Sequence, residues 1–301
     1  MGLLMAADRM RFAILGPGGV GGLLAALLAR AGDSVLVLAS DGTAREIEAG
    51  GIHVESQKFG NFTVSVRTAS RLTEPVDAVL VTVKATHLDD AVQRVPATSL
   101  GAALVIPFLN GIDHVERLRA VYPPSSVVPA TIRIETTRVA PVVIHHTSPF
   151  NLVEIAGAES VAQHLLAAGL DVRVRDDELA MLWEKFAIIA PLALLTTHAQ
   201  ASVGVIRTER RPEMTALIDE VAAIARADGV AIDPGQVVGM IDRAHEAMET
   251  SMQRDRAAGR PLELDALGGA LLRRADRAGI EAPVTRRLVE EIQAELVSRS
   301  A

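Results

Sequence analysis

In the first third of the chain apolar residues come in short unbroken runs separated by turn residues. Met10 to Leu15 (MRFAIL), Ser34 to Ala39 (SVLVLA), Ala78 to Val83 (AVLVTV) and Ala103 to Pro107 are such runs, the pattern of parallel strands buried on both faces. Val64 to Arg67 reads as a further, shorter strand. Between them Val20 to Ala31, Thr43 to Ala49, Leu88 to Val95 and His114 to Val121 carry helical spacing, and this alternation predicts a doubly wound parallel sheet, an α/β fold. Thr131 to His146 changes to short alternating segments, as in hairpins or an antiparallel extension of the sheet. Beyond Val174 the period becomes helical throughout: Glu178 to Thr197, Glu213 to Asp228, Pro234 to Met252, Leu264 to Ala278 and Pro283 to Ser298 all read as helices, several opening at Pro or an acidic cap. The pattern therefore divides the chain into a Rossmann domain over residues 10–175 and an all-helical domain over residues 176–301, whose Leu, Ala and Val positions suit a homodimer surface as readily as a core. Residues 1–8 have no periodic pattern and read as a leader or an upstream start.

Length and charge narrow the function. A chain of 301 residues exceeds one ordinary core and leaves room for two domains. A formal net charge of −7 argues against the clustered basic surface that nucleic acid requires, so no nucleic-acid partner is expected. With no cysteine there is no disulfide, thiolate nucleophile or thiolate metal ligand, which fits a reducing, cytoplasmic setting. Phe12 to Ala29 is uncharged, yet six residues between Gly16 and Gly22 are glycine or proline, unlike a signal peptide. Phe186 to Ile206 is long enough to span a bilayer, but Pro191, His198, Gln200 and Gly204 interrupt it. It reads as a buried helix followed by a turn, with no membrane partner. His145, His146 and His198 lack metal-site spacing, and no metal is expected.

Gly16-Pro17-Gly18-Gly19-Val20-Gly21 is a GxGxxG directly after the first strand and at the opening of the first helix. Gly16 permits the tight turn, Gly18 lets backbone approach a pyrophosphate, Gly21 lets helix pack on sheet, and Gly19 and Val20 bring N–H groups of the helix terminus to the phosphates. About 20 residues on, where the adenosine ribose belongs, stand Ser40, Asp41, Thr43 and Arg45. Asp41 suits the 2′-hydroxyl of NAD; Ser40, Thr43 or Arg45 suits the 2′-phosphate of NADP. Simple helix capping by Asp41 or Thr43 is the competing reading.

Further stretches sharpen the picture. Lys84 follows AVLVTV at the sheet edge where open α/β folds bind ligands, and Asn110-Gly111 follows the next strand to the same edge. The helical half contributes LWEKFA around Lys185, TSMQRD around Ser251 and GRPLELDALGG around Glu263. Together with ILGPGGVG, VTVKA and LNGI, in this order from Met10 to Pro283, these stretches resemble the ketopantoate reductase (2-dehydropantoate 2-reductase) family. The resemblance implies an oxidoreductase that uses NADP, with NAD possible, to reduce a small branched 2-keto acid in pantothenate biosynthesis. It implies Lys185 as the general acid at the ketone oxygen, with Lys84 as a second cation nearby. Asn110 would lie between cofactor and substrate, while Ser251 and the catalytic-site acid Glu263 hold the two ends of the keto acid. Read alone, each has a plainer account: a lysine snorkelling from an apolar helix, an asparagine before a glycine turn, a helix hydroxyl and a solvated loop carboxylate.

One departure is large. The family presents asparagines one and two turns after the lysine, and the first grips the substrate; here these positions are Ile189 and Ala193, and the chain's asparagines are Asn61, Asn110 and Asn151. Ile189 removes a donor and an acceptor from the expected substrate pocket, which Thr196, Thr197, His198 or Gln200 would have to replace. Two other readings follow: a non-catalytic dinucleotide-binding or redox-sensing relative, and a dehydrogenase of a bulkier 2-hydroxy acid.

Overall fold

The computed structural model describes residues 9–300, so the expectation for residues 1–8 lies outside it. Two compact units emerge: one holds the described residues up to Leu109 together with His114–Glu178, the other Asn110–Asp113 and Leu179–Ala301.

The first unit runs β1 (Arg11–Leu15), α1 (Gly19–Ala31), β2 (Ser34–Leu38), α2 (Asp41–Gly50), β3 (Ile52–Ser56), β4 (Phe62–Val64), β5 (Arg67–Ala69), β6 (Ala78–Val81), α3 (Leu88–Val92), α4 (Ala97–Leu100), β7 (Leu104–Pro107), α5 (His114–Arg119), β8 (Ala130–Arg133), β9 (Thr136–Ala140), β10 (Val143–His146), β11 (Leu152–Ala156), α6 (Glu159–Ala167) and β12 (Asp171–Arg175). Five strands form a parallel sheet in the order β5-β2-β1-β6-β7. The order reverses between β1 and β6, the switch point at which doubly wound sheets open a ligand crevice. This is a Rossmann domain. Phe12, Ile14, Val37 and Leu80 are fully buried and share one core with Leu23, Leu24, Leu27 and Leu28 of α1. That explains the unbroken apolar runs: the sheet is covered on both faces.

Several elements differ from the sequence expectation. The strand predicted over Val64 to Arg67 is split, Phe62–Val64 pairing with β3 and Arg67–Ala69 with β2. Thr131 to His146 does supply a hairpin, β9 with β10, but it does not extend the parallel sheet. It joins a second sheet, β4-β3-β10-β9, while β8 enters a third, β12-β11-β8. The partners β3 and β12 sit on polar-rich segments (IHVES, DVRVR) whose short alternation carries little hydropathy signal, and the apolar run of β11 (LVEIA) is broken by the buried Glu154.

The second unit contains α7 (Glu178–Ala199, from Leu179 on), α8 (Val203–Glu209), α9 (Arg211–Ala227), α10 (Pro234–Asp242), α11 (Ser251–Ala257), a π-helical turn at Asp265–Gly269, α12 (Ala270–Ala278) and α13 (Pro283–Ser300). Helix α7 is long and apolar enough to cross a bilayer, yet most of it is buried inside the protein, as a core helix is. It continues through Pro191 and ends at Gln200, which takes φ 50°. The single helix expected over Pro234 to Met252 is two, because carbonyls of the intervening segment are used elsewhere. Glu246 and Met248 accept from the N–H groups of Gly204 and Val203, and Asp242 and Ala244 accept from Arg207. Thr250 then restarts the helix, its hydroxyl accepting from Gln253 N–H.

Candidate active site

Gly16 takes φ +99°, and a Cβ there would lie 2.5 Å from Val83. A Cβ on Gly21 would fall 2.2 Å from the Gly16 carbonyl oxygen, while one on Gly18 meets nothing within 4 Å. Tight packing thus requires glycine at Gly16 and Gly21, whereas Gly18 faces open space in which a Cβ would meet only a bound group. The hydroxyl of Thr82, on the chain leaving β6, donates to Gly16 O at 2.8 Å and holds the turn against the switch point. This residue escaped the sequence reading, although a threonine ending an apolar strand was its visible signal. At the start of α1 no side chain caps the backbone and no acidic residue occupies the first turn. The N–H groups of Gly19, Val20 and Gly21 precede the first intrahelical donor, the Gly22 N–H that reaches Gly18 O, so they and the helix dipole suit a pyrophosphate. The residues present fit a dinucleotide.

At the next strand end Ser40 is the N-cap of α2, its hydroxyl 3.3 Å from Thr43 Oγ1, with no side-chain bond to the helix backbone. Ser40, Asp41 and Arg45 are exposed. Lys84, half-buried, begins the short turn Ala85–His87 directly after the switch-point strand.

The second unit brings three of the expected residues together. Lys185 Nζ donates to Asn110 Oδ1 at 3.1 Å, and Asn110 Nδ2 donates to Glu263 Oε2 at 3.4 Å. Lys185 and Glu263 are 7% and 4% exposed, so an ammonium and a carboxylate lie buried on either side of one amide. Their chemistry fixes the amide's orientation, since an ammonium only donates and a carboxylate only accepts. Helix α7 supplies the lysine, the chain leaving β7 the asparagine, and the segment before the π-helical turn the glutamate. Gly111, at φ +89°, lets that chain run against the turn: a Cβ would sit 2.5 Å from Ala266 O. Ile189 lies one helical turn beyond Lys185 on the same face and is half-buried; Ala193 is buried.

Ser251 is not joined to that trio by a hydrogen bond. It is the exposed first residue of α11, whose N-cap Thr250 meets Thr196 at 2.8 Å between hydroxyls. Thr196 lies eleven residues past Lys185 on nearly the same helix line, roughly 16 Å along the axis at 1.5 Å per residue. The Thr196 hydroxyl is engaged there and with Leu192 O, while His198 pairs with Arg210 and Glu291. Among the described residues no group of His, Asp and Glu could hold a metal ion.

A parallel sheet whose strand order reverses at a glycine turn, in a chain whose second, helical unit carries a buried lysine, defines a Rossmann-type oxidoreductase architecture. Sequence comparison assigns the family: the model of ketopantoate reductase PanE/ApbA matches residues 12–156, and that of its C-terminal domain matches residues 177–295. The chain belongs to the ketopantoate reductase family of nicotinamide-dependent oxidoreductases. It is 30% identical to the 2-dehydropantoate 2-reductase of Caulobacter vibrioides, over 94% of this chain and 98% of that one. Its structure is similar to that of a PanE/ApbA family ketopantoate reductase from Ralstonia eutropha, with TM-score 0.88, 28% identity and coverage of 97% and 100%. It shares its fold with a D-mandelate dehydrogenase solved with NADH and anilino(oxo)acetate, at TM-score 0.89, 19% identity and coverage of 97% and 100%.

Proposed function

We propose that this protein reduces a small branched 2-keto acid, ketopantoate or a close relative, to the 2-hydroxy acid with NADPH. The observation that carries the reading is the buried chain Lys185–Asn110–Glu263, three residues of the family pattern joined by hydrogen bonds within one unit. Gly16, Gly18, Gly19, Val20 and Gly21 hold the pyrophosphate, and Ser40 and Arg45 receive the 2′-phosphate. When bound, the nicotinamide supplies the hydride that reaches the carbonyl carbon. Lys185 donates its proton to the ketone oxygen, stabilising the charge that develops there before transferring the proton. Asn110 keeps the ammonium aimed, and its amide links that group to Glu263, which receives a substrate hydroxyl. Lys84 adds positive charge suited to the substrate carboxylate, and Ser251 binds the acid's polar end.

A second reading is favoured by Ile189. An apolar wall where relatives carry an amide suits a bulkier apolar side chain, and the shared fold with D-mandelate dehydrogenase is compatible with a dehydrogenase of a larger 2-hydroxy acid. Oxidation of NADPH and NADH by the purified protein against a panel of 2-keto acids, including ketopantoate, 2-ketoisovalerate and phenylglyoxylate, tests both readings. Preference for the branched acids supports the first and preference for phenylglyoxylate the second. No turnover of any of them would defeat both and leave a dinucleotide-binding protein without this chemistry.

A further inference from the structure

Four residues, Asn110–Asp113, interrupt the first unit and group with the helices instead. What holds them is Asp113. Its Oδ2 accepts from Arg273 Nε at 3.0 Å and Nη2 at 2.8 Å, and its Oδ1 accepts from Arg274 Nη1. Arg273 continues to Asp265 Oδ1 at 2.6 Å, two residues beyond Glu263. Arg274, almost wholly buried, continues through Nε to Asp228 Oδ2 at 2.8 Å; the same oxygen accepts from Trp183 Nε1 at 3.2 Å, two residues before Lys185. One carboxylate therefore ties the asparagine segment to both neighbours of its amide, through Arg273 to the turn that directly follows Glu263 and through Arg274 and Asp228 to the helix bearing Lys185. Burial works against the Asp113 charge, but the bonds from Arg274 and Arg273 outweigh it and hold the carboxyl below its ordinary range, so the clamp is ionised at neutral pH.

We infer that Asp113, with Arg273 and Arg274, is the positioning group that sets the Asn110 amide between Lys185 and Glu263. Charge-assisted, two-pronged bonds from planar guanidinium groups define direction as well as distance. An amide reaching a donor on one side and an acceptor on the other tolerates little displacement. The inference rests on Lys185, Asn110 and Glu263 being the reacting site, and it assigns Asp113 no contact with substrate.

The test is a double-mutant cycle in kcat with NADPH and ketopantoate. Asp113→Asn keeps the side-chain shape, removes the charge and turns an amide N–H toward an arginine. It should lower kcat roughly 10- to 100-fold while the dissociation constant for NADPH is unchanged. In an Asn110→Ala background the same substitution should cost less than about twofold, because its effect passes through the missing amide. Should Asp113→Asn fail to fold, Arg273→Gln weakens the clamp from its solvent side and should show the same loss of additivity. A wild-type rate in the Asp113 variant, or losses that multiply in the double variant, would overturn the positioning role, the latter marking a purely structural one. If Asn110→Ala itself retains the full rate, or the unmodified protein does not turn over, the reading of the site falls and the inference with it. An impaired Asn110→Ala beside an unaffected Asp113→Asn defeats the inference alone.

Discussion

Lys185 is buried at 7% exposure in a helix whose neighbours are Trp183, Phe186 and Ala187, and its ammonium meets the oxygen of Asn110. A charge in such surroundings requires partners, and among them is Asn110, whose amide in turn meets Glu263. Lys185→Ala should therefore lower the turnover number by about 100-fold or more, as expected for loss of a general acid, while dinucleotide binding, followed by nicotinamide fluorescence, stays intact. A near-normal rate would mark the lysine as structural. Ile189 supplies the complementary prediction. An apolar wall neither rewards nor strongly rejects a substrate hydroxyl, so ketopantoate should be no better a substrate than 2-ketoisovalerate. Ile189→Asn should raise the relative kcat/KM for ketopantoate by about 1 to 3 kcal/mol. An unmodified enzyme that already prefers ketopantoate by orders of magnitude would refute this. Lys185, Asn110 and Glu263 were legible because they fall in short family stretches, and each looks ordinary in isolation. Asp113, Arg273 and Arg274 were not, since charged residues in LNGID and LLRRAD read as solvated until the fold brings segments 160 residues apart into contact.

At the level of elements, the glycine turn between β1 and α1 separates two demands that one motif meets. Gly21 sits where a Cβ would strike the Gly16 carbonyl, whereas Gly18 faces open space. Gly18→Asp should therefore leave the fold intact yet abolish the fluorescence enhancement of NADPH and NADH, by setting a carboxylate where the helix terminus receives phosphate. Unchanged binding in that variant would disprove the assignment of the turn. The strands themselves explain why this part of the fold was readable in advance: a fully covered parallel strand needs an unbroken apolar run, and RFAIL and SVLVL carry a polar residue only at their first position while AVLV carries none. The outer sheets were harder. Strand β3 alternates buried and half-buried positions through His53 and Glu55, and β12 shows Asp171 and Arg173 to solvent, so neither stands out by hydropathy. The break between α10 and α11 was invisible for a different reason. Residues 243–250 keep helical composition, but their carbonyls are claimed by α8 and by Arg207, a tertiary demand that local propensity cannot report.

Across the whole molecule, stability should carry a specific pH signature, because most groups with displaced titration are shifted in directions that favour neutral pH. His146 is buried, its Nδ1 2.8 Å from Ser56 Oγ and its Nε2 3.2 Å from Ser148 Oγ, with Phe59 against the ring. Ser56 Oγ already accepts from the N–H groups of Lys58 and Phe59, so its proton goes to Nδ1; Ser148 Oγ donates to Phe150 O and accepts from Nε2. The network is complete with a neutral ring, and a second ring proton would find no acceptor there. Burial accordingly pushes the His146 pKa below its ordinary value, with Lys58 and His145 adding to the effect and Phe150 and Glu135 opposing it. Because the unfolded chain takes up this proton first, at about pH 6.5, folding stability falls as pH drops from there toward the lower folded-state value. A second loss follows at more acid pH. Asp77, hydrogen-bonded by Arg11, and Asp113, whose burial is outweighed by its two arginines, are both held below the ordinary carboxylate value. Each contributes stability that is complete above the unfolded pKa, near 3.9, and is lost as pH falls through the depressed folded one. Urea denaturation between pH 8 and pH 3 should thus show a flat region, then a decline beginning near pH 6.5, and a second decline once the pH falls below about 4. His146→Gln, which retains hydrogen-bonding atoms without a titrating ring, should be less stable at pH 8 yet lose most of the decline between pH 6.5 and pH 5; a variant whose slope in that window matches the unmodified protein would show that His146 does not carry it.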